Sequence, residues 1–238
     1  MRFVTLIAIV LGVVLLYVVY EIVRMTLLVR ESGQLVRASH PYAREIPNAF
    51  KRILILGDST AVGTGAVDPN NSTAGRLGTL YPEATIINRA ENGFRLADLK
   101  KQLHTFDTNE HFDLVLVHIG ANDILYLTPI PQIKEESSVV FSRVKDMGEK
   151  VVILHSGNVG DAPFFPWFLR SLFTSRSDAM RTIYRTEADI HGVQYVDLIK
   201  ASTASLFKEN PKKYHAPDLL HLSDEGYGLW FSEIQKEL

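Results

Sequence analysis

A serine hydroxyl can act as a nucleophile when a base takes its proton and nearby donors receive the charge that its attack creates. This chain offers all three kinds of group. Residues 53–65 read Ile-Leu-Ile-Leu-Gly-Asp-Ser-Thr-Ala-Val-Gly-Thr-Gly. The apolar, β-type run stops at Gly57-Asp58-Ser59, which places Ser59 on a tight turn at the carboxyl end of a buried strand. In open α/β sheets that edge is where ligands bind. A phosphate-cradling loop would need Gly-x4-Gly-Lys-Ser/Thr, but Gly57 is followed by Gly63 and Gly65 with no lysine in the loop. The plainer alternative for Ser59 is that it only caps the next helix.

A base stands near the other end of the chain, in Asp218-Leu219-Leu220-His221. Three residues apart in a turn, a carboxylate can hold the imidazole Nδ1–H and leave Nε2 free for a serine proton. A solvated loop histidine is the alternative. Two further blocks could supply donors. In Gly120-Ala121-Asn122-Asp123 the Asn122 amide can donate to a developing oxyanion. Asp123 cannot donate when ionised and is expected to cap or brace its loop. In Asn88-Arg89-Ala90-Glu91-Asn92-Gly93 the glycine lets a backbone N–H approach a substrate closely, although Asn-Gly is also an ordinary turn dipeptide. His104, His111, His118, His155, His191 and His215 are scattered, read as structural or surface residues, and form no metal-like cluster.

Taken together, the four blocks resemble the SGNH (GDSL-type) hydrolase family over about residues 51–238. The resemblance implies Ser59 as nucleophile and Asp218 and His221 as its partners. It implies an oxyanion hole from the Ser59 N–H, Gly93 and Asn122, an acyl-enzyme, and neither cofactor nor metal. Thr60 departs from the leucine of the family's name-giving motif, without touching the chemistry.

The elements that must position these residues alternate along the chain. Continuous apolar runs at 52–56, 84–88, 112–119, 150–155 and 193–198 read as strands covered on both faces. Helical patterns lie at about 72–81, 94–106, 132–148, 167–191, 199–208 and 223–237. Such alternation gives a parallel sheet in an α/β fold. The resemblance makes it a three-layer α/β/α sandwich with five parallel strands, flavodoxin-like.

The 238 residues allow one such domain plus an appendage. With 46% hydrophobic and 22% charged residues the class is globular, and a net charge of -2 gives no electrostatic case for nucleic acid. There is no cysteine, so disulfides, thiolate metal sites and a cysteine nucleophile are excluded. The appendage is the chargeless run Phe3–Tyr20. About 20 residues cross a hydrocarbon core of ~30 Å, and no small-residue cleavage site follows the run. An uncleaved, single-pass anchor over 1–29 is expected, then a juxtamembrane connector over 30–50, then the hydrolase domain over 51–238. The connector pattern suggests an interfacial helix interrupted by Gly33, Pro41 and Pro47. Arg24, Arg30 and Arg37 follow the run and Arg2 precedes it. Positive-inside counting tilts that pattern toward a cytoplasmic domain, but long domains translocate regardless of charge. A basic start before an apolar run resembles an export signal, so the reading leans to an extracytoplasmic catalytic domain.

Between the fourth strand and its long helix, residues 164–173 hold five aromatics, Phe164, Phe165, Trp167, Phe168 and Phe173. They read equally as an apolar lid over an acyl pocket or as packing for the helix. The expected function is a membrane-anchored serine hydrolase of carboxylic esters, with small-molecule or lipid esters as substrates. The alternatives are a carbohydrate O-acetylesterase or an acyltransferase on the same scaffold, or a non-catalytic membrane-tethered binding module. Oligomeric state is not legible in the residues.

Overall fold

The computed structural model describes residues 2–107 and 109–238. Met1, in the expected anchor, and Thr108, in the expected hydrolase domain, lie outside the described residues. Five strands pair in parallel in the order β2-β1-β3-β4-β5. They are β1 (Lys51–Gly57), β2 (Ala84–Asn88), β3 (Phe112–His118), β4 (Gly148–Leu154) and β5 (Gln194–Val196). The central strands are buried on both faces, as their unbroken apolar runs require. In β1, Ile53 and Ile55 face one layer while Leu54 and Leu56 face the other; in β3, Leu114 and Leu116 are likewise opposed to Val115 and Val117. The edge strand β5 is shorter than the apolar run suggests, pairing only Gln194–Val196 with β4. Short edge strands limit unwanted pairing with other chains.

The helices are α1 (Arg2–Ala38), α2 (Ser59–Val62), α3 (Thr73–Leu80), α4 (Leu96–Leu103), α5 (Ala121–Leu125), α6 (Ile130–Met147), α7 (Trp167–His191), α8 (Ala204–Glu209), α9 (Pro211–Tyr214) and α10 (Asp224–Ile234). The side chains of α4, α6 and α7 fill the core on one face of the sheet. Those of α2, α3, α8, α9 and α10 fill the other. The result is the three-layer α/β/α sandwich implied by the resemblance.

Helix α1 has 37 residues, a length of about 55 Å at 1.5 Å per residue. Apart from Tyr17, residues 3–20 are exposed, and an 18-residue window reaches a mean hydropathy of 2.8. It is long and apolar enough to cross a membrane. The helix runs unbroken through Gly33 and stops only before Pro41. A glycine in a helix interior costs only about 1 kcal/mol, less than docking of the surrounding turns returns. From Glu21 onward one stripe is half-buried, at Glu21, Arg24, Met25, Leu28, Ser32 and Val36. Met25 and Leu28 pack against the α4–α6–α7 core. Arg24 donates to the backbone oxygens of Pro163 and Phe164, both at 3.0 Å, and pairs with Glu21 at 2.8 Å.

Candidate active site

Strand β1 ends at Gly57, whose φ is +141° and whose place a Cβ could not share with the His118 carbonyl oxygen, 1.8 Å away. That close approach lets the chain turn at once into α2. The helix is capped by Asp58, whose carboxylate accepts the Thr60 N–H at 3.0 Å. Ser59 therefore does not serve as the cap, and its hydroxyl is available to the cleft. Burial drives the Asp58 carboxyl up to about 6.

The Ser59 Oγ lies 3.1 Å from His221 Nε2. On the other side of the ring, Nδ1 is 2.6 Å from Asp218 Oδ2. Oδ1 of the same carboxylate accepts the N–H groups of Leu220 and His221, each at 3.0 Å. Burial pushes the Asp218 carboxyl up, but the His221 ring and these two donors outweigh it and hold the group below its ordinary value. The turn is sharp enough to place Leu219 at φ +59°, a conformation that costs a non-glycine residue energy and persists only where surroundings impose it. Here they do: Leu219 donates to Ala216 O and accepts from Phe164 N–H, and Ala216 N–H bonds His221 O. Gly65, at φ +97°, passes so close beneath that a Cβ would meet Leu222 O at 2.4 Å.

Ser59, Gly93, Asn122 and His221 all line one cleft of about 740 Å³. Gly93 has φ +84° and open space where a side chain would be. Asn122 donates through Nδ2 to Phe94 O at 3.0 Å, tying the third block to the second. Asp123 braces the same region, with Oδ2 accepting the Leu96 N–H at the start of α4; burial lifts its carboxyl to about 6.

Three residues of α1 and its end reach this site without any signal in the four blocks. Ser32 and Val36 line the cleft. Ser39, just past the helix, donates to Val36 O at 3.0 Å and accepts from Asn92 Nδ2 at 3.1 Å. Thr64 donates to Asn92 Oδ1 at 2.6 Å and sits 3.0 Å from Ser39 Oγ. This knot joins the end of α1 to the loop after α2 and to the turn that carries Gly93. In the sequence the signal that could have found it is Met25, Leu28, Ser32 and Val36, which recur every three to four residues on one helix face.

The histidines divide by position. His118 and His155 are fully buried beneath the site, and burial lowers them to about 3 and about 4, so both are neutral. His215, expected to be structural or superficial, lines the cleft, with Nδ1 donating to Pro211 O at 2.9 Å. Among the described residues no group of histidines and carboxylates could hold a metal ion. The segment 164–173 also divides. Phe164, Phe165 and Phe173 are buried in the core, while Trp167 and Phe168 are exposed.

Residues 55–229 match the GDSL-like lipase/acylhydrolase family. No curated protein matches the chain by sequence. Its structure is similar to that of a lipase/acylhydrolase from Enterococcus faecalis, with a TM-score of 0.59 and 23% identity, covering 79% of this chain and 95% of that one. It is also similar to TesA, with a TM-score of 0.64 and 16% identity over 79% and 98% of the two chains. An acetylxylan esterase from Geobacillus stearothermophilus gives a TM-score of 0.56 and 19% identity over 81% and 96%. At these identities the likeness concerns the fold.

Proposed function

This chain belongs to the GDSL-like lipase/acylhydrolase family, and from that premise we propose that it is a membrane-anchored serine hydrolase working through an acyl-enzyme. The observation that carries the reading is the line Asp218–His221–Ser59, with gaps of 2.6 and 3.1 Å, opening into a cleft at the carboxyl edge of the sheet. In the proposed reaction Ser59 Oγ attacks the ester carbonyl carbon while His221 Nε2 takes its proton. Asp218 fixes the tautomer and stabilises the charged ring. The oxyanion is received by the N–H groups of Ser59 and Gly93 and by the Asn122 Nδ2 hydrogen not engaged with Phe94. As the first residue of α2, Ser59 has an N–H with no partner inside the helix. His221 then returns the proton to the leaving alcohol, and water, activated by the same ring, releases the acid.

Val36, Leu125, Val159 and Leu220 line part of the cleft, which favours acyl esters or lipids. Asn158, Asp178, Lys200 and Lys208 line the same cleft, and these polar groups favour a second reading, a carbohydrate O-acetylesterase. We place the anchor in the first half of α1 and the catalytic domain on the extracytoplasmic side. A long domain crosses regardless of the charges that flank the span, and a basic start before an apolar run resembles an export signal.

The test is labelling and turnover of the full chain. A fluorophosphonate should label the wild type and not Ser59→Ala, and p-nitrophenyl esters of increasing acyl length should be cleaved. Absence of both labelling and turnover would return the chain to the binding-module alternative. A rate confined to acetyl esters would select the second reading.

A further inference from the structure

Helix α7 begins with two opposed faces. Phe173 is buried and Leu169 is partly buried against the core, with Phe165 and Phe173 rings 4.2 Å apart. A quarter-turn or more around the axis, Trp167, Phe168 and Leu172 are 71%, 51% and 43% exposed. Among the other exposed apolar side chains, the adjacent Tyr126 and Leu127 are at the cleft, which Tyr126 lines, and Phe50, Val67 and Ile190 stand singly along the sequence and need no explanation. A contiguous aromatic and aliphatic face does.

Its neighbour supplies the explanation. The Trp167 side chain lies near the Tyr17 hydroxyl of α1, and Tyr17 is the one residue of the run 3–20 that is partly covered. Seven residues further along α1, about 10 Å at helical rise, Arg24 grips the carbonyl oxygens of Pro163 and Phe164. The Arg24 bonds fix the height of the α7 start relative to the apolar run. Tyr17 and Tyr20 mark the end of that run, and tyrosine and tryptophan are the residues that concentrate where hydrocarbon meets headgroups. If the run spans a bilayer, the exposed face cannot avoid that layer.

We propose that Trp167, Phe168 and Leu172 are a second membrane contact, seated in the bilayer interface beside the α1 span. The proposal rests on the anchor reading given above. It adds a second foothold to a helix already docked on the domain by Arg24, Met25 and Leu28. The cleft wall at Ser32 lies about 18 Å beyond Tyr20 along the helix axis, so the mounted domain holds its cleft on the aqueous side of the headgroups. A lipid ester must be lifted toward it.

The experiment uses the full chain in phosphatidylcholine bilayers whose acyl chains carry bromine, a short-range quencher of tryptophan. The chain has two tryptophans, and Trp230 is buried between His118 and Phe207. Wild type should lose the Trp167 share of its emission, on the order of half, because an interfacial indole lies within reach of the acyl chains. Trp167→Phe should lose almost none. Equal quenching of the two overturns the proposal. Alkaline carbonate washing separates its failure from that of the anchor: a chain that stays in the membrane with Trp167 unquenched loses the second contact alone, and a chain washed off loses both. Fluorophosphonate labelling of Ser59 reports the catalytic reading independently. The pair Phe168→Ser and Leu172→Ser should lower turnover of a vesicle-borne ester several-fold and leave p-nitrophenyl acetate turnover unchanged. An unchanged vesicle rate in that variant would also overturn it.

Discussion

On the relay side of the cleft, Asp218 and His221 are three residues apart in one turn that carries its own backbone bonds. On the side proposed to receive the oxyanion, Gly93 sits in the turn after β2 and Asn122 in the first turn of α5, after β3. They are held together by the Asn122–Phe94 bond and by the Ser39–Asn92–Thr64 knot. One side is made by neighbours in sequence. The other needs β2, β3, the loop after α2 and the end of α1 to arrive together. A relay built locally should fail as a unit, whereas a donor set borrowed from several elements should weaken by degrees.

The largest effect tests the relay. Ser59→Ala and His221→Ala should each lower kcat by about 10⁴-fold or more, and the double variant should lose little further, because such residues act as one unit. Additive losses would break the contrast. Next comes Asn122→Ala. It should reduce kcat by about 10²- to 10³-fold with KM little changed; a wild-type kcat would remove Asn122 from the proposed oxyanion hole. Ser39→Ala should be milder still. Losing one partly buried hydrogen-bond partner costs about 1 kcal/mol, so kcat should fall several-fold at constant KM, with recovery in Ser39→Thr. A loss as deep as that of His221→Ala would show that the two sides are not built differently.

The smallest effect is read in stability rather than rate, at the turn that joins the two sides. The buried Asp58 carboxyl is raised from 3.8 to about 6. Between those values the folded chain binds more protons than the unfolded chain, so this group costs stability as pH rises, fully so above about 6. Asp58→Asn keeps a good helix cap and removes that cost. Its unfolding midpoint should exceed wild type near neutral pH, and the gap should close as pH falls through about 6 toward 4. A gap that is constant with pH would show that Asp58 titrates normally.

Much of this was legible in the residues. The runs 84–88 and 167–191 coincide with β2 and α7, since apolar periodicity directly records which faces are covered. The short β5 was overestimated because the apolar residues at 193–198 are shared between strand and following turn. Of the two readings of 164–173, packing fits Phe164, Phe165 and Phe173, while none of the five aromatics lines the cleft as a lid would; helix periodicity assigns residues to faces but does not say what lies against each face. The stretch 21–36, which crosses the expected boundary between anchor and connector, hid most. A helix reading of 21–36 implies a covered stripe, yet nothing in it names its partners, which lie more than 100 residues away at Pro163 and Phe164.

By itself the sequence determined the alternation of strands and helices, the apolar run of α1 and the local pairing of Asp218 with His221, since each depends on spacings of a few residues. Only the tertiary structure decided that Ser59 lies 3.1 Å from a ring 162 positions away, and that α1 walls the cleft as well as extending from it. The physical reason is that parallel pairing of β1 between β2 and β3 brings loops distant in the chain to one sheet edge, and the burial that drives this pairing acts on surfaces, which a linear spacing does not record.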